Sequence, residues 1–266
     1  MLESLLDFGE INRKPYLMFI WAFIICSVSI AVSLQISYRV PLENTIFDMT
    51  GIFSVLFIVL SSVYLITTTI KREEEMEEDD IDRHHQQNFW PRHKKDIVMI
   101  MFFFAGMTLA FSVWSFFLPP DTFMVQISKI NEIQCISGSA VDYNAFFGQI
   151  LLNNLQVTMF SFFFSFIFGA GASFILTWNA SILGVYIGRI STSFWHIPIV
   201  SMAFLPHGVP EIAGYVCAGL AGSLISAAII RQHKKGILKI IATDSFKILL
   251  LGVVLIVLAA GIEAYL

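Results

Sequence analysis

A histidine and a glutamate stand four residues apart at the start of an apolar run, in the stretch LPHGVPEIAGYVCAGLAGSLISAAII that extends from Leu205 to Ile230. Ionisable side chains inside a membrane often mark routes for protons, ions or substrates, and broken helices supply such sites at membrane depth. His207 and Glu211 therefore predict a polar site. Three further polar residues are candidate partners in the same patch: Arg189, Asn179 and Asn154.

The same stretch has a second, purely structural interpretation. Pro206 and Gly208 predict the end of the preceding helix, and Pro210 suits the first turn of the next one. Glu211 would then lie in that first turn, beside free backbone N–H groups at the positive end of the helix dipole. On this interpretation His207 and Glu211 only satisfy a helix junction. Both interpretations remain open at the level of sequence.

Enzymatic chemistry is not indicated. The zinc protease pattern needs two histidines on one helix face with a glutamate beside the first, and the stretch HGVPE cannot supply it. His196, in SFWHIPIV, is predicted to be interfacial. The cysteines Cys26, Cys135 and Cys217 have neither disulfide nor metal spacing. We predict a protein that is not an enzyme and that has no cofactor and no metal.

The composition predicts which elements must position these residues. Hydrophobic residues make up 56% of the 266 residues, 26 of them phenylalanine, and the mean hydropathy is +0.75. Too little polar surface remains to cover a water-soluble globule. The sequence therefore predicts a single polytopic membrane domain over residues 1–266, with the lipid bilayer as its surroundings and no nucleic acid partner.

The predicted fold is all-α, a transmembrane helical bundle of six to seven membrane segments. One segment, from Ala180 to Leu205, is expected to be broken or re-entrant, because Arg189, a polar patch at 191–193 and Pro198 are unfavourable against lipid. The other six segments are long and apolar: 16–34, 50–69, 97–118, 155–178, 209–230 and 246–266.

Lysine and arginine near the segment ends predict the orientation in a cell membrane, since basic loops stay in the cytoplasm. The N-terminus is predicted to be cytoplasmic and the C-terminus extracellular. Residues 71–95 are predicted to form a charged cytoplasmic loop, which is either a solvated helix and loop or a site that docks a basic partner or loosely binds cations. Residues 119–154 form an extracellular loop that ends in an amphipathic elbow helix in the membrane interface.

Small residues recur every four positions and so share a helix face, which lets two helix backbones approach closely. The predicted packing is within one chain or across a homodimer. The three rows are Ser161, Ser165, Gly169 and Ser173; Gly214, Ala218, Gly222 and Ser226; and the pair Gly184 and Gly188.

Residues 151–230 resemble the stage II sporulation protein M family of integral membrane proteins. The matching features are Asn154, the Gly169–Gly171 stretch, the NASILG step from Asn179 to Gly184, and the motif from Pro206 to Glu211 with its glycine-rich helix. The resemblance implies a multi-pass protein without established catalytic activity. In spore formers it implies a membrane component that assembles with peptidoglycan-remodelling proteins during engulfment.

Two functions follow from these observations. The first is a non-enzymatic scaffold or assembly component of a membrane complex, with other membrane proteins or a second copy as its partner. The alternative is a transporter- or channel-like permease component with a polar site at His207 and Glu211.

Overall fold

The computed structural model describes residues 16–42, 45–63, 89–138, 143–169, 171–230 and 235–265. Of the charged loop predicted at 71–95, positions 71–88 lie outside the described residues. Within the described ranges the chain is helical apart from one short hairpin. The elements are α1 (Tyr16–Ile36), β1 (Arg39–Leu42), β2 (Thr45–Asp48), α2 (Thr50–Val63), α3 (Phe89–Phe117), a 3-10 turn (Pro120–Phe123), α4 (Met124–Gly138), α5 (Tyr143–Phe168), α6 (Ala172–Ile190), α7 (His196–Ile230) and α8 (Lys235–Tyr265).

Five helices in the described part of the chain are long and apolar enough to cross a membrane. Their apolar ranges are Tyr16–Ile36, His93–Phe117, Ala145–Phe168, His196–Ile230 and Leu238–Tyr265. The helix Thr50–Val63 is apolar but shorter. The predicted helical, membrane-type architecture is therefore confirmed, with five candidate spans.

The hairpin was not predicted from sequence. It pairs β1 and β2 antiparallel, with Arg39 opposite Asp48. The Asp48 carboxylate accepts hydrogen bonds from the Thr50 amide at 2.9 Å and from the Ser37 hydroxyl at 3.0 Å, which ties the hairpin to the start of α2. Burial alone would raise the pKa of Asp48, but hydrogen bonds from Thr50 and Ser37 and the charge of Arg39 bring it below the ordinary value.

The fourth predicted segment, 155–178, is not one helix. Helix α5 ends at Phe168, and Gly169 follows with a φ of 71°. The Gly169 amide donates to the Ser165 carbonyl at 2.8 Å, as in the left-handed motif that ends many helices. Ser173 consequently lies on α6 and does not continue the row formed by Ser161 and Ser165.

The predicted elbow helix is also wrong as a separate element. It would have ended near Asn154, but α5 runs without interruption from Tyr143 to Phe168. Its sequence contains no proline and a single glycine, Gly148, so no strong helix breaker ends the helix before Gly169.

The predicted helix break at Pro206 and Gly208 is wrong too, since α7 continues through Pro206 and Pro210. The break in the segment 180–205 lies instead between the end of α6 at Ile190 and the start of α7 at His196. Each proline removes one backbone hydrogen bond, and their four-residue spacing places both losses on one side of the helix. Continuing the helix keeps all other backbone groups paired where lipid offers no partner.

The chain divides into two compact units. The first contains the described residues up to Ser61, from Phe102 to Gly138 and from Thr177 to Leu205; the second contains those from Ser62 to Met101, from Tyr143 to Leu176 and from Pro206 to Tyr265.

In the first unit, α6 lies alongside the second half of α3, and the two helices run parallel. The Thr177 hydroxyl contacts the Met107 sulfur at 3.6 Å, and further along the Ser115 hydroxyl donates to the Val185 carbonyl at 3.2 Å. A Cβ on Gly184 would overlap the Thr108 carbonyl oxygen, and one on Gly188 would overlap that of Ser112. Glycine at 184 and 188 is therefore what lets these two backbones meet.

In the second unit, α5 and α7 run parallel and α8 runs antiparallel to α7. A Cβ on Gly222 would overlap the Phe162 carbonyl oxygen, so this glycine faces α5. Gly214 faces α8 instead, where its Cβ would lie 2.8 Å from the Ile256 side chain. Ala218 also lies close to α8. If Gly252 on α8 carried a Cβ, that atom would lie 3.6 Å from the Ala218 amide nitrogen. The row predicted from Gly214 to Gly222 thus serves two neighbouring helices.

Candidate functional site

The second unit brings three polar side chains from α5 and α7 together. The Tyr215 hydroxyl lies 2.7 Å from Glu211 Oε1 and 3.1 Å from Asn154 Oδ1. Tyr215 is 1% exposed and Asn154 is 4% exposed, while Glu211 is half-buried. We call Asn154, Glu211 and Tyr215 the polar triad.

The continuity of α7 explains how the triad forms. Residues four apart lie one above the other on a helix, so His207, Glu211 and Tyr215 share one face of α7. Glu211 lies well inside the helix, far from the free N–H groups of its first turn at His196. The helix start therefore does not account for this carboxyl group, which must find its partners among side chains.

Helix α5 supplies Asn154 from a face on which every buried side chain is small or polar. Asn154, Thr158, Ser161 and Ser165 follow one another along this face. The Ser161 hydroxyl donates to the Tyr215 backbone carbonyl at 3.0 Å, which fixes α7 against α5 two turns beyond Asn154. The Asn153 amide donates to Asn154 Oδ1 at 3.2 Å, and Asn154 Nδ2 is buried without a hydrogen-bond partner in the described part of the protein.

A second carboxyl group, Glu263 on α8, belongs to the same neighbourhood. Its charge interacts with Glu211 and with His207. Glu263 itself is exposed, near the end of α8, so the polar side chains extend from buried Tyr215 to the surface of the unit.

Sequence analysis missed Tyr215 and Glu263. Tyr215 was overlooked because a break was placed between His207 and the following helix, which hid the repeat of four residues from 207 to 215. A charged residue three positions before the end of an otherwise apolar segment was the available signal for Glu263.

Two of the predicted partners have other positions. Arg189 belongs to the first unit, where its guanidinium Nη2 donates to the carbonyls of Leu118 at 3.2 Å and Pro119 at 2.8 Å. These carbonyls directly follow α3, so Arg189 satisfies the end of that helix. Asn179 lies on α6 in the same unit.

The remaining residues of the predicted motif, Pro206 and Gly208, lie within α7. A Cβ on Gly208 would meet nothing within 4 Å, so close packing does not require a glycine there. Among the described residues, no group of three or more His, Cys, Asp or Glu side chains is arranged to hold a metal ion. The chemistry that the triad offers is hydrogen bonding and proton exchange between oxygen atoms.

Comparisons with known proteins agree with the resemblance seen in the sequence. The profile of a family described as Stage II sporulation protein M matches residues 98–266. An uncharacterized protein of Methanocaldococcus jannaschii is 31% identical over 143 residues, which are 52% of this chain and 80% of the archaeal protein. No solved structure gives a significant match. The profile match extends beyond 151–230 and includes α5, α7 and α8, which build the site.

Proposed function

Because the chain belongs to the stage II sporulation protein M family, we propose that it is a non-enzymatic multi-pass membrane protein that acts as a scaffold or assembly component of a membrane complex. The observation that supports this proposal most strongly is the distribution of side chains around α5. Its buried face is small and polar, whereas large aromatic side chains on its other faces are exposed, among them Phe160, Phe163, Phe164 and Phe168.

This arrangement suits a structural role in lipid. Small residues let the backbones of α5 and α7 pack in close contact. The exposed phenylalanines then present a continuous apolar surface to lipid or to another membrane protein, where large aromatic side chains contribute most to contact area.

Co-purification after mild solubilisation tests the proposal. One experiment uses two differently tagged copies of the chain, and the other asks which host membrane proteins accompany one tagged copy. We expect stable association that is lost when Phe160, Phe163 and Ile167 are replaced by alanine. A control replaces three exposed apolar residues of α8, Leu250, Val254 and Leu258, and should keep the association. A chain that purifies alone under all mild conditions would contradict the assembly role.

We extend the proposal to a cell-membrane topology of six to seven segments; α2 and α6, added to the five candidate spans, make seven. The parallel alignment of α3 and α6 supports a crossing by α6, because two parallel neighbours cross in the same direction. The N-terminus is then cytoplasmic and the C-terminus extracellular. Epitopes at the two ends test this: in intact cells only the C-terminal one should be reached by antibody, and the reverse result excludes this orientation.

A permease component is the second candidate function. The specific observation in its favour is the convergence of the triad's oxygen atoms inside a membrane-type unit, where polar groups are costly. Flux of ions or small solutes in proteoliposomes is the measurement. An absence of transport would contradict a permease function. Transport that is unchanged in Glu211→Gln and Tyr215→Phe would show that the triad is not the transport site.

A further inference from the structure

We propose that Glu211 is a reversible proton-binding site, in which the protonated carboxyl group donates to Tyr215 and Tyr215 donates to Asn154. The inference goes beyond the assembly role and depends neither on a partner nor on transport.

The first argument is a count of protons. A tyrosine hydroxyl carries one hydrogen, yet two acceptor oxygens, Glu211 Oε1 and Asn154 Oδ1, lie within hydrogen-bond distance of Tyr215 Oη. With Asn154 Oδ1 facing Tyr215, both contacts are hydrogen bonds only if a further proton is present. A proton on Glu211 Oε1 completes a directional chain from Glu211 through Tyr215 to Asn154.

The orientation of the Asn154 amide supports this direction. Asn153 Nδ2 donates to Asn154 Oδ1 at 3.2 Å, so that oxygen already faces a donor and is oriented toward Tyr215. The arrangement without the extra proton requires both amides to turn over, so that Asn154 Nδ2 donates to Tyr215 and Glu211 stays ionised. The two protonation states of Glu211 thus correspond to two orientations of Asn154.

The charges that face Glu211 favour the protonated arrangement. On α8, Glu263 is a second carboxylate within electrostatic range of Glu211. On α7, His207 interacts with Glu263. An ionised Glu211 would therefore add a second negative charge opposite one histidine, in surroundings where an uncompensated charge is costly.

The short contact between Glu211 and Tyr215 fits a hydrogen bond. A separation of 2.7 Å is the usual distance for a direct O–H···O hydrogen bond.

Proton binding changes the contact between α5 and α7. The proton comes from a hydronium ion in water near exposed Glu263: its O–H bond to that water breaks, and one O–H bond forms on Glu211 Oε1. The Tyr215 O–H then turns from Glu211 to Asn154, whose amide turns over so that Oδ1 accepts. When the proton returns to water, Tyr215 donates to Glu211 again and Asn154 Nδ2 donates to Tyr215.

Dicyclohexylcarbodiimide tests the proposal on the purified full-length chain, because it modifies protonated carboxyl groups in apolar surroundings. Peptide mass spectrometry across a pH series gives the modified fraction of each residue. We expect an adduct on Glu211 at neutral pH that declines at alkaline pH, and no adduct in Glu211→Gln. Asp244, which is buried but ion-paired with Lys247 at 2.8 Å, is the matched internal control and should stay unmodified.

Tyr215→Phe separates a positioning role from a merely structural one. The Tyr215 hydroxyl donates to the ionised form of Glu211, and this charge-assisted hydrogen bond is stronger than the one made by the neutral carboxyl group, so its loss should move the pH midpoint of labelling upward. An unmodified Glu211 at every pH, with Glu263 modified in the same sample, would overturn the proposal. Protection of Glu211 by sodium or lithium ions at constant pH would overturn it as well, in favour of a metal cation.

Discussion

Tyr215 lies one helical turn after Glu211 on α7, and its hydroxyl is 2.7 Å from the Glu211 carboxyl group. The contact exists because α7 continues through Pro206 and Pro210, which brings His207, Glu211 and Tyr215 onto one face. The same hydroxyl group lies 3.1 Å from Asn154 Oδ1 on α5. The polar triad therefore joins two parallel helices of one unit at a point where both are otherwise packed through small side chains.

The close approach of α5 and α7 predicts the effect of Gly222→Ala. The added Cβ would overlap the Phe162 backbone carbonyl, which cannot move aside like the end of a side chain. We expect a loss of about 1–3 kcal/mol in the free energy of unfolding, measured by thermal or denaturant unfolding in mild detergent. Gly261→Ala is the control, because its Cβ would meet nothing within 4 Å. Equal stability of the two variants would mean that α5 and α7 are further apart.

Gly169→Ala tests the turn between α5 and α6. A Cβ at this position has open space, so the cost arises only from the backbone φ of 71°. A non-glycine residue in this region costs about 1–2 kcal/mol, and unfolding in detergent should show a loss of that size. Gly208→Ala, inside α7 and also in open space, should be neutral or slightly stabilising. A neutral Gly169→Ala would argue for a continuous helix from 155 to 178.

Asp48 predicts a loss of stability in acid. Its folded pKa lies below the ordinary value of 3.8, so its contribution is complete above the unfolded pKa and is lost as the pH falls through the folded pKa. The unfolding midpoint of the protein should fall with pH below about 3.8, and Asp48→Asn should flatten this decline. Glu132→Gln, which alters an exposed pair with Lys129, is the control for removing a carboxylate. If the unfolding midpoint of Asp48→Asn falls in acid as that of the unmodified protein does, the Asp48 carboxylate does not stabilise the hairpin.

Sequence reasoning was most successful where long-range composition decides the outcome. Apolar runs of sufficient length form helices in lipid because no other backbone conformation satisfies its own hydrogen bonds there. The helical class, the family and Asn154 as a residue near Glu211 could all be inferred from the sequence, and the structure places Asn154 beside Tyr215 and Glu211.

The misses have two local causes. The sequence pattern predicts a helix break at Pro206 and Gly208, whereas the helix continues, keeps its remaining hydrogen bonds and brings Tyr215 onto the face of Glu211. At Gly169 the four-residue spacing was counted across a left-handed turn, so Ser173 was assigned to the wrong helix. In both places a local pattern could not reveal which backbone conformation the whole unit stabilises.

A double-mutant cycle on Asn154→Ala and Tyr215→Phe tests most directly the claim that the polar triad joins α5 to α7. Unfolding free energies of the four proteins, measured in one detergent at one pH, give the coupling between the two side chains. We predict a coupling of about 0.5–3 kcal/mol, the range for residues in one hydrogen-bond network. Additive effects, equal within about 0.3–0.5 kcal/mol, would contradict the triad and with it the proposed site.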